Sequence, residues 1–163
     1  MASSSRGLRL IKAIEIYTKS RPNQWDTSTV FNKVKILSAN EGQLRASFTV
    51  DSSMCNPLDT LHGGYVSTVV DVLSMFGQMS HAQGKIAWTT NMNVVYLNAA
   101  FKGDQLIVST VPLTMGRTLS METTLVNERS GAVVAKGTTM FLQGGDKFQT
   151  GAKDILGFDV YEN

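Results

Sequence analysis

The sequence predicts an α+β protein, an antiparallel sheet of about six strands wrapped on one long central helix, with a further helix at the N-terminus. Three observations carry this. Apolar spacing is helical over residues 8–17 and 66–77, and close to two nearly everywhere else. Turn chemistry at Gly103-Asp104, Met115-Gly116-Arg117 and Arg129-Ser130-Gly131 closes the later connections within a few residues. Such short connections make consecutive strands antiparallel neighbours. The length, 163 residues, suits one domain with a real core.

In chain order, Leu8, Ile11, Ile14, Ile16 and Tyr17 mark the first helix, which Pro22 and a polar loop follow. Phe31, Val34 and Ile36 suggest a first strand, and residues 38–42 (SANEG) a turn. Residues 43–51 alternate cleanly, with Leu44, Ala46, Phe48 and Val50 on one face, so the pair reads as a hairpin. At about 100° per residue, Val66, Val69, Val70, Leu73, Phe76 and Gly77 form one apolar stripe of the long helix. His81 suits the negative end of its dipole and Gly84 a C-cap. Strands return at 89–97, 105–113, 119–125 and 133–141. The expected organisation is an N-terminal helix and lead-in (1–27), one domain (28–143) and a loosely attached polar tail (144–163).

Composition narrows the function. Lysine and arginine total 15 against 13 acids, a net charge of +2, too balanced to point to nucleic acid. No apolar run approaches the roughly 18 residues that cross a bilayer. The lone cysteine, Cys55, has no intrachain disulfide partner, which points to a reducing intracellular compartment. Nothing beside it supports a nucleophile, since His62 lies seven positions on and across a proline. Two histidines and one cysteine, widely separated, supply no metal site. The N-terminus is basic and Ser-rich with one acid, Glu15, and lacks the uncharged core of a secretory signal. A structural helix and a mitochondrial presequence both fit it, so cytoplasm and mitochondrion stay open as compartments.

The chemistry concentrates where the long helix begins. Gly63 and Gly64 follow His62, and a helix start leaves its first N–H groups unpaired at an electropositive end. Without side chains there, an anion or a developing oxyanion can approach those donors. The same glycines also fit a mere tight turn. Asp71 falls about 140° from Val66 around the helix, off the apolar stripe and in company with Ser67, Thr68, Ser74 and Gln78. That face is polar but hardly charged, which fits a covered surface as well as a solvated one. Asn56 before Pro57 is a turn signal in its own right.

Together, Asn56, the His62-Gly63-Gly64 run six residues later and Asp71 nine beyond His62 resemble the hotdog-fold acyl-CoA thioesterases, in the small single-domain branch. The likeness spans residues 7–143, including the TTNMNVVYLNAA strand and the GRTL hairpin. It implies hydrolysis of acyl-CoA to a free acid and coenzyme A, with no cofactor. Gly63 would polarise the thioester carbonyl through its N–H, with Asn56 and His62 shaping that loop. Asp71 would be general base or nucleophile, and Thr89 would help hold the water. Coenzyme A would lie along 96–102 and 114–119, with Gly64, Asn91, Tyr96, Asn98, Ala99, Gly116 and Thr118 contributing and Lys102 and Arg117 meeting phosphates. The resemblance further implies a homodimer, two of which commonly pair into a tetramer, with the site shared between subunits. Asp59 departs from it, standing where relatives usually carry a small residue. Met75, Met79, Trp88 and Met92 are apolar candidates for an acyl tunnel or for plain core. A non-catalytic acyl-CoA or lipid-binding hotdog module is the alternative, because a fold does not fix a chemistry.

Overall fold

A computed structural model describes residues 1–116, 118–156 and 159. Helix α1 (Ser5–Ser20) leads through a π-helical turn (Thr27–Phe31) into strands β1 (Lys35–Asn40) and β2 (Gln43–Thr49). Helix α2 (Gly63–Met79) follows, then β3 (Ala87–Tyr96), β4 (Gln105–Thr114), β5 (Leu119–Asn127) and β6 (Val133–Gln143), and finally helix α3 (Asp146–Leu156). The sheet is wholly antiparallel in the order β1-β2-β4-β5-β6-β3, so β3 lies at an edge.

The sheet wraps α2 as the hotdog arrangement requires, with β2 to β6 all packing on that helix. Val66, Val69, Val70 and Leu73 meet Leu44, Phe48, Leu106, Val108, Leu125 and Ala135 in one core. Each such buried aliphatic side chain contributes about 1.5–3 kcal/mol relative to exposure. Two glycines let helix and sheet approach this closely. A Cβ on Gly137 would stand 2.4 Å from Val70 Cγ1, and one on Gly77 2.3 Å from Thr110 Oγ1.

Five local expectations give way. Val30 and Phe31 are buried in the π-helical turn, and the strand starts only at Lys35. The β1–β2 turn shortens to Glu41-Gly42, both at positive φ (45° and 86°), as a twisted two-residue hairpin demands. In α1, Leu8 faces outward while Leu10, Ala13 and Ile14 enter the core. Ser74 and Gln78 are fully buried rather than sharing the open face of Asp71. The Gln78 amide spans Lys85, donating to its carbonyl and accepting from its N–H at 3.3 Å. Helix α2 closes at Ser80, not Gly84, whose missing side chain instead admits the Gln78 carbonyl.

Residues 146–156, expected as loose tail, form α3 because an amphipathic run finds a partner in the start of β3. Phe148 stacks edge-on against Trp88 at 4.6 Å between ring centres. The Gln149 amide donates to the carbonyls of Ile86 (2.9 Å) and Gly144 (2.8 Å) and accepts from the Ile86 N–H (2.9 Å). Gln149→Leu leaves the Ile86 N–H and the Gly144 carbonyl without this partner, while Ile86 O keeps the Gly144 N–H at 2.8 Å, and is expected to cost about 1–3 kcal/mol. For a chain of this length that is roughly 2–4 °C of Tm per kcal/mol. A thermal melt, with hydrogen exchange accelerated chiefly at the Ile86 N–H, checks it; an unchanged melt would mean α3 is held by other contacts.

Candidate active site

The loop before α2 is tied at every step. The Asn56 side chain accepts from the N–H groups of Leu58 (2.9 Å) and Thr60 (3.3 Å) and donates to Thr60 Oγ1 (2.7 Å). Asp59 sits at φ 56°, a left-handed conformation that Asp tolerates better than most residues and glycine best. The Leu61 N–H donates to Ala100 O and the His62 N–H to Met54 O, both at 2.8 Å, which fixes where the helix begins.

His62 is the N-cap of α2. Its Nδ1 accepts the Gly64 N–H at 2.8 Å, so a neutral ring tautomer in this arrangement carries its proton on Nε2. This capping bond consumes the Gly64 donor and leaves the Gly63 N–H without a partner among the described residues. Tyr96 of β3 reaches over the same turn, its hydroxyl 2.6 Å from Ser67 Oγ and donating to Gly63 O at 3.3 Å. A Cβ on Gly63 would lie 3.3 Å from the tyrosine ring. A cleft of about 340 Å3 opens here, with Gly63, Tyr96, Asn98 and Ala99 among its walls. Asn98 is held in it by its side-chain bond to Val133 O (2.8 Å). On the other flank of the helix start, about 570 Å3 opens between the π-helical turn (with Trp25 just before it), the loop at 53–55 and α2.

The Asp71 side chain accepts from Thr89 Oγ1 at 2.5 Å, one oxygen taken and the other not hydrogen-bonded by any described residue. Burial, and secondarily the charge of Asp71, raises the Asp26 carboxyl above its ordinary range, so two acids share the outer side of α2. Asp71 stands eight residues after Gly63 on the same helix, about 12 Å along its axis. No single carbonyl reaches both within one chain.

The expected site residues therefore fall into two groups. Asn56, His62, Gly63, Gly64, Tyr96, Asn98, Ala99 and the exposed Lys102 gather around the start of α2. Thr89, Asn91, Gly116 and Thr118 belong to the opposite end of the sheet, and Asp71, halfway along α2, bonds to Thr89: Thr89 and Leu119 both register with Phe141, whereas Tyr96 registers with Ala135. Lys102 and the 115–118 hairpin flank the two ends of β4, whose ten residues span about 30 Å. Arg117 lies outside the described residues. Met79 is core, Met75 is partly buried, and Trp88 and Met92 are exposed on β3 rather than lining a tunnel within the chain.

Strand β3 links the groups and is open. It runs ten residues along the sheet edge with Trp88, Met92, Val95 and Tyr96 each at least 36% exposed. Periodicity gave no warning of Ser67 against Tyr96, nor of the segment around Trp25 and Asp26 that walls the outer side of α2. Among the described residues no cluster of His, Cys, Asp or Glu could hold a metal, and no helix is long and apolar enough to cross a membrane.

Comparison with known proteins adds an independent line. The model of the thioesterase superfamily matches residues 58–133. Acyl-coenzyme A thioesterase 13 of Mus musculus is 31% identical over 109 residues, 66% of this chain and 78% of that protein. The crystal structure of zebra fish thioesterase superfamily member 2 superposes with a TM-score of 0.72 at 28% identity, over 78% of this chain and 94% of that one. A hypothetical thioesterase of Streptococcus pneumoniae, solved with coenzyme A, gives 0.67 at 29% identity over 74% and 93%. That protein has also been solved with an aspartate, and separately a threonine, replaced by alanine.

Proposed function

The chain belongs to the thioesterase superfamily, and we propose that it hydrolyses acyl-CoA thioesters to a free acid and coenzyme A at a site built by two copies of the chain. The carrying observation is the separation just described: an open oxyanion donor at the start of α2, and an acid with its hydroxyl partner halfway along it, linked by an edge strand whose outer side pairs with no described strand. An isologous pairing of two β3 edges, antiparallel about a two-fold axis, sets the first group of one chain beside the second group of its partner. Two such dimers then pair into a tetramer.

In this reading the thioester oxygen lies on the Gly63 N–H, where the helix dipole adds to the donor. Thr89 occupies one oxygen of the Asp71 side chain, leaving the other to take a proton from the attacking water. The tetrahedral oxyanion collapses by expelling the thiolate of coenzyme A, and the proton held by Asp71 passes to the leaving sulfur or to solvent, which restores the carboxylate. Asn56 and His62 contribute geometry rather than protons, by fixing the loop and the helix cap. The carrier follows the cleft beside Tyr96, Asn98 and Ala99, with Lys102 toward its phosphates. Gly64, Asn91, Gly116, Arg117 and Thr118 complete the carrier's surroundings across the two chains. The decisive test is thiol release from short, medium, long and aryl CoA thioesters. Turnover is expected on at least one class; tight acyl-CoA binding with no thiol release would replace the enzyme by a binding module.

A further inference from the structure

We propose that Ser67 is a positioning residue for the oxyanion donor: through the Tyr96 hydroxyl it holds the Gly63-Gly64 peptide, and with it the direction of the Gly63 N–H. The inference rests on the donor role given to Gly63 above. It needs one chain alone, since every residue involved lies at the start of α2 or the end of β3. The need for such a hold is local. A first helical turn has no intrahelical acceptors for its N–H groups, and two successive glycines give it wide backbone freedom. Stabilising an oxyanion takes a donor that is already aimed, and a soft segment does not keep its aim.

The structure restrains one peptide on both edges. Its N–H, that of Gly64, donates to His62 Nδ1 at 2.8 Å, and its carbonyl, that of Gly63, accepts from the Tyr96 hydroxyl at 3.3 Å. The peptide before it is tied as well, the His62 carbonyl accepting the Val66 N–H at 3.1 Å. Fixing these two planar groups fixes both torsions of Gly63 between them. Tyr96 has one hydroxyl hydrogen. With that given to Gly63 O, its oxygen accepts the Ser67 hydroxyl at 2.6 Å. A hydroxyl that accepts one bond donates the next more strongly. Ser67 departs here from its neighbour. Thr68 turns its hydroxyl back to the carbonyl four residues earlier, Gly64 O at 3.0 Å, a habit of helical Ser and Thr. Ser67 sends its own across to β3, and the carbonyl four residues before it, Gly63 O, is reached through the tyrosine.

The test measures thiol release, on the thioester that wild type turns over best, for Ser67→Ala and for Tyr96→Phe, which keeps the ring that walls the cleft. Each is expected to lower kcat about three- to tenfold, the rate equivalent of one ordinary hydrogen bond, with KM near wild type. The two together should cost no more than the larger single loss, because they break one chain of bonds. In a Gly63→Pro background, which has no N–H to aim, Ser67→Ala should cost nothing further. Alanine is the better helix former, so a serine with only a structural role predicts a variant as stable and as active as wild type. Unchanged kcat in Ser67→Ala, a loss confined to KM, additive losses in the double variant, or a loss that persists in the Gly63→Pro background would each overturn the proposal while leaving the thioesterase intact. Absence of thiol release by wild type on every thioester overturns both readings.

Discussion

Asp71→Asn is expected to lower kcat for thioester hydrolysis by about 10²–10⁴, the range general-base catalysis typically contributes. The substitution is nearly isosteric. The amide oxygen of asparagine still accepts the Thr89 hydroxyl that now bonds Asp71 at 2.5 Å, so the link between α2 and β3 survives. Asp71 is only half-buried and lies outside the core of α2, so helix and sheet have no reason to change. What is lost is basicity alone. KM should stay close to wild type, because in the mechanism proposed the acid meets water rather than the carrier. Thr89→Val removes the hydroxyl but keeps the acid, and a loss of about one hydrogen bond to a charged group, 1.5–3 kcal/mol, corresponds to roughly ten- to a hundredfold in rate. Steady-state kinetics with far-ultraviolet circular dichroism on both variants decide the matter. Full activity in Asp71→Asn would mean another group takes the proton, and an equal loss in KM would move Asp71 into binding.

The sequence made the sheet legible because one face of each central strand is buried, and burial imposes alternation. Leu44, Ala46 and Phe48 on β2, with Val50 just past it, show it, as do Ala135, Gly137, Thr139 and Phe141 on β6. The same rule explains where reading failed. The segment at 27–34 is packed by a single turn whose buried residues, Thr27, Val30 and Phe31, are too few to display a period. Residue Gln78 is polar by composition but core by position, since Lys85 satisfies its amide. The C-terminal segment looked detached because its helix, packed on α1, is tied to the start of β3 by one glutamine and one aromatic contact, a docking that a short polar segment does not announce. Among the candidate site residues, the His62-Gly63-Gly64 run was readable as a helix start, which leaves N–H groups to satisfy, but equally as a donor site or a tight turn. The role proposed for Asp71 was not readable from its position. Its helix carries it away from the core, and an acid on an outer face has the same local signature whether it meets solvent or a partner. The thioesterase likeness supplied that meaning, and the family match and the superposed folds support the likeness itself.

Gly63→Pro removes the proposed oxyanion donor with little else disturbed, and kcat is expected to fall by about 10²–10³. Proline is well suited to the first position of a helix, where its missing N–H has no intrahelical partner to lose. The residue before proline must be extended, and His62 already is, at φ −66° and ψ 131°. The added ring does approach Tyr96, since a Cβ at this position stands 3.3 Å from it. Gly63→Ala carries the same Cβ and keeps the N–H, so it isolates the donor from the crowding and should retain most of the rate. A mixture of Gly63→Pro and Asp71→Asn chains then tests how the site is assembled. If each site takes Gly63 from one chain and Asp71 from the other, a mixed dimer holds one site with both groups intact and one with neither. Random pairing makes half the dimers mixed, so the co-refolded pool should recover about one quarter of wild-type activity from two nearly inactive parents. If both groups act from the same chain, every chain in the pool carries a lesion and the mixture stays as inactive as its parts. The 12 Å that eight helical residues put between Gly63 and Asp71 favours recovery.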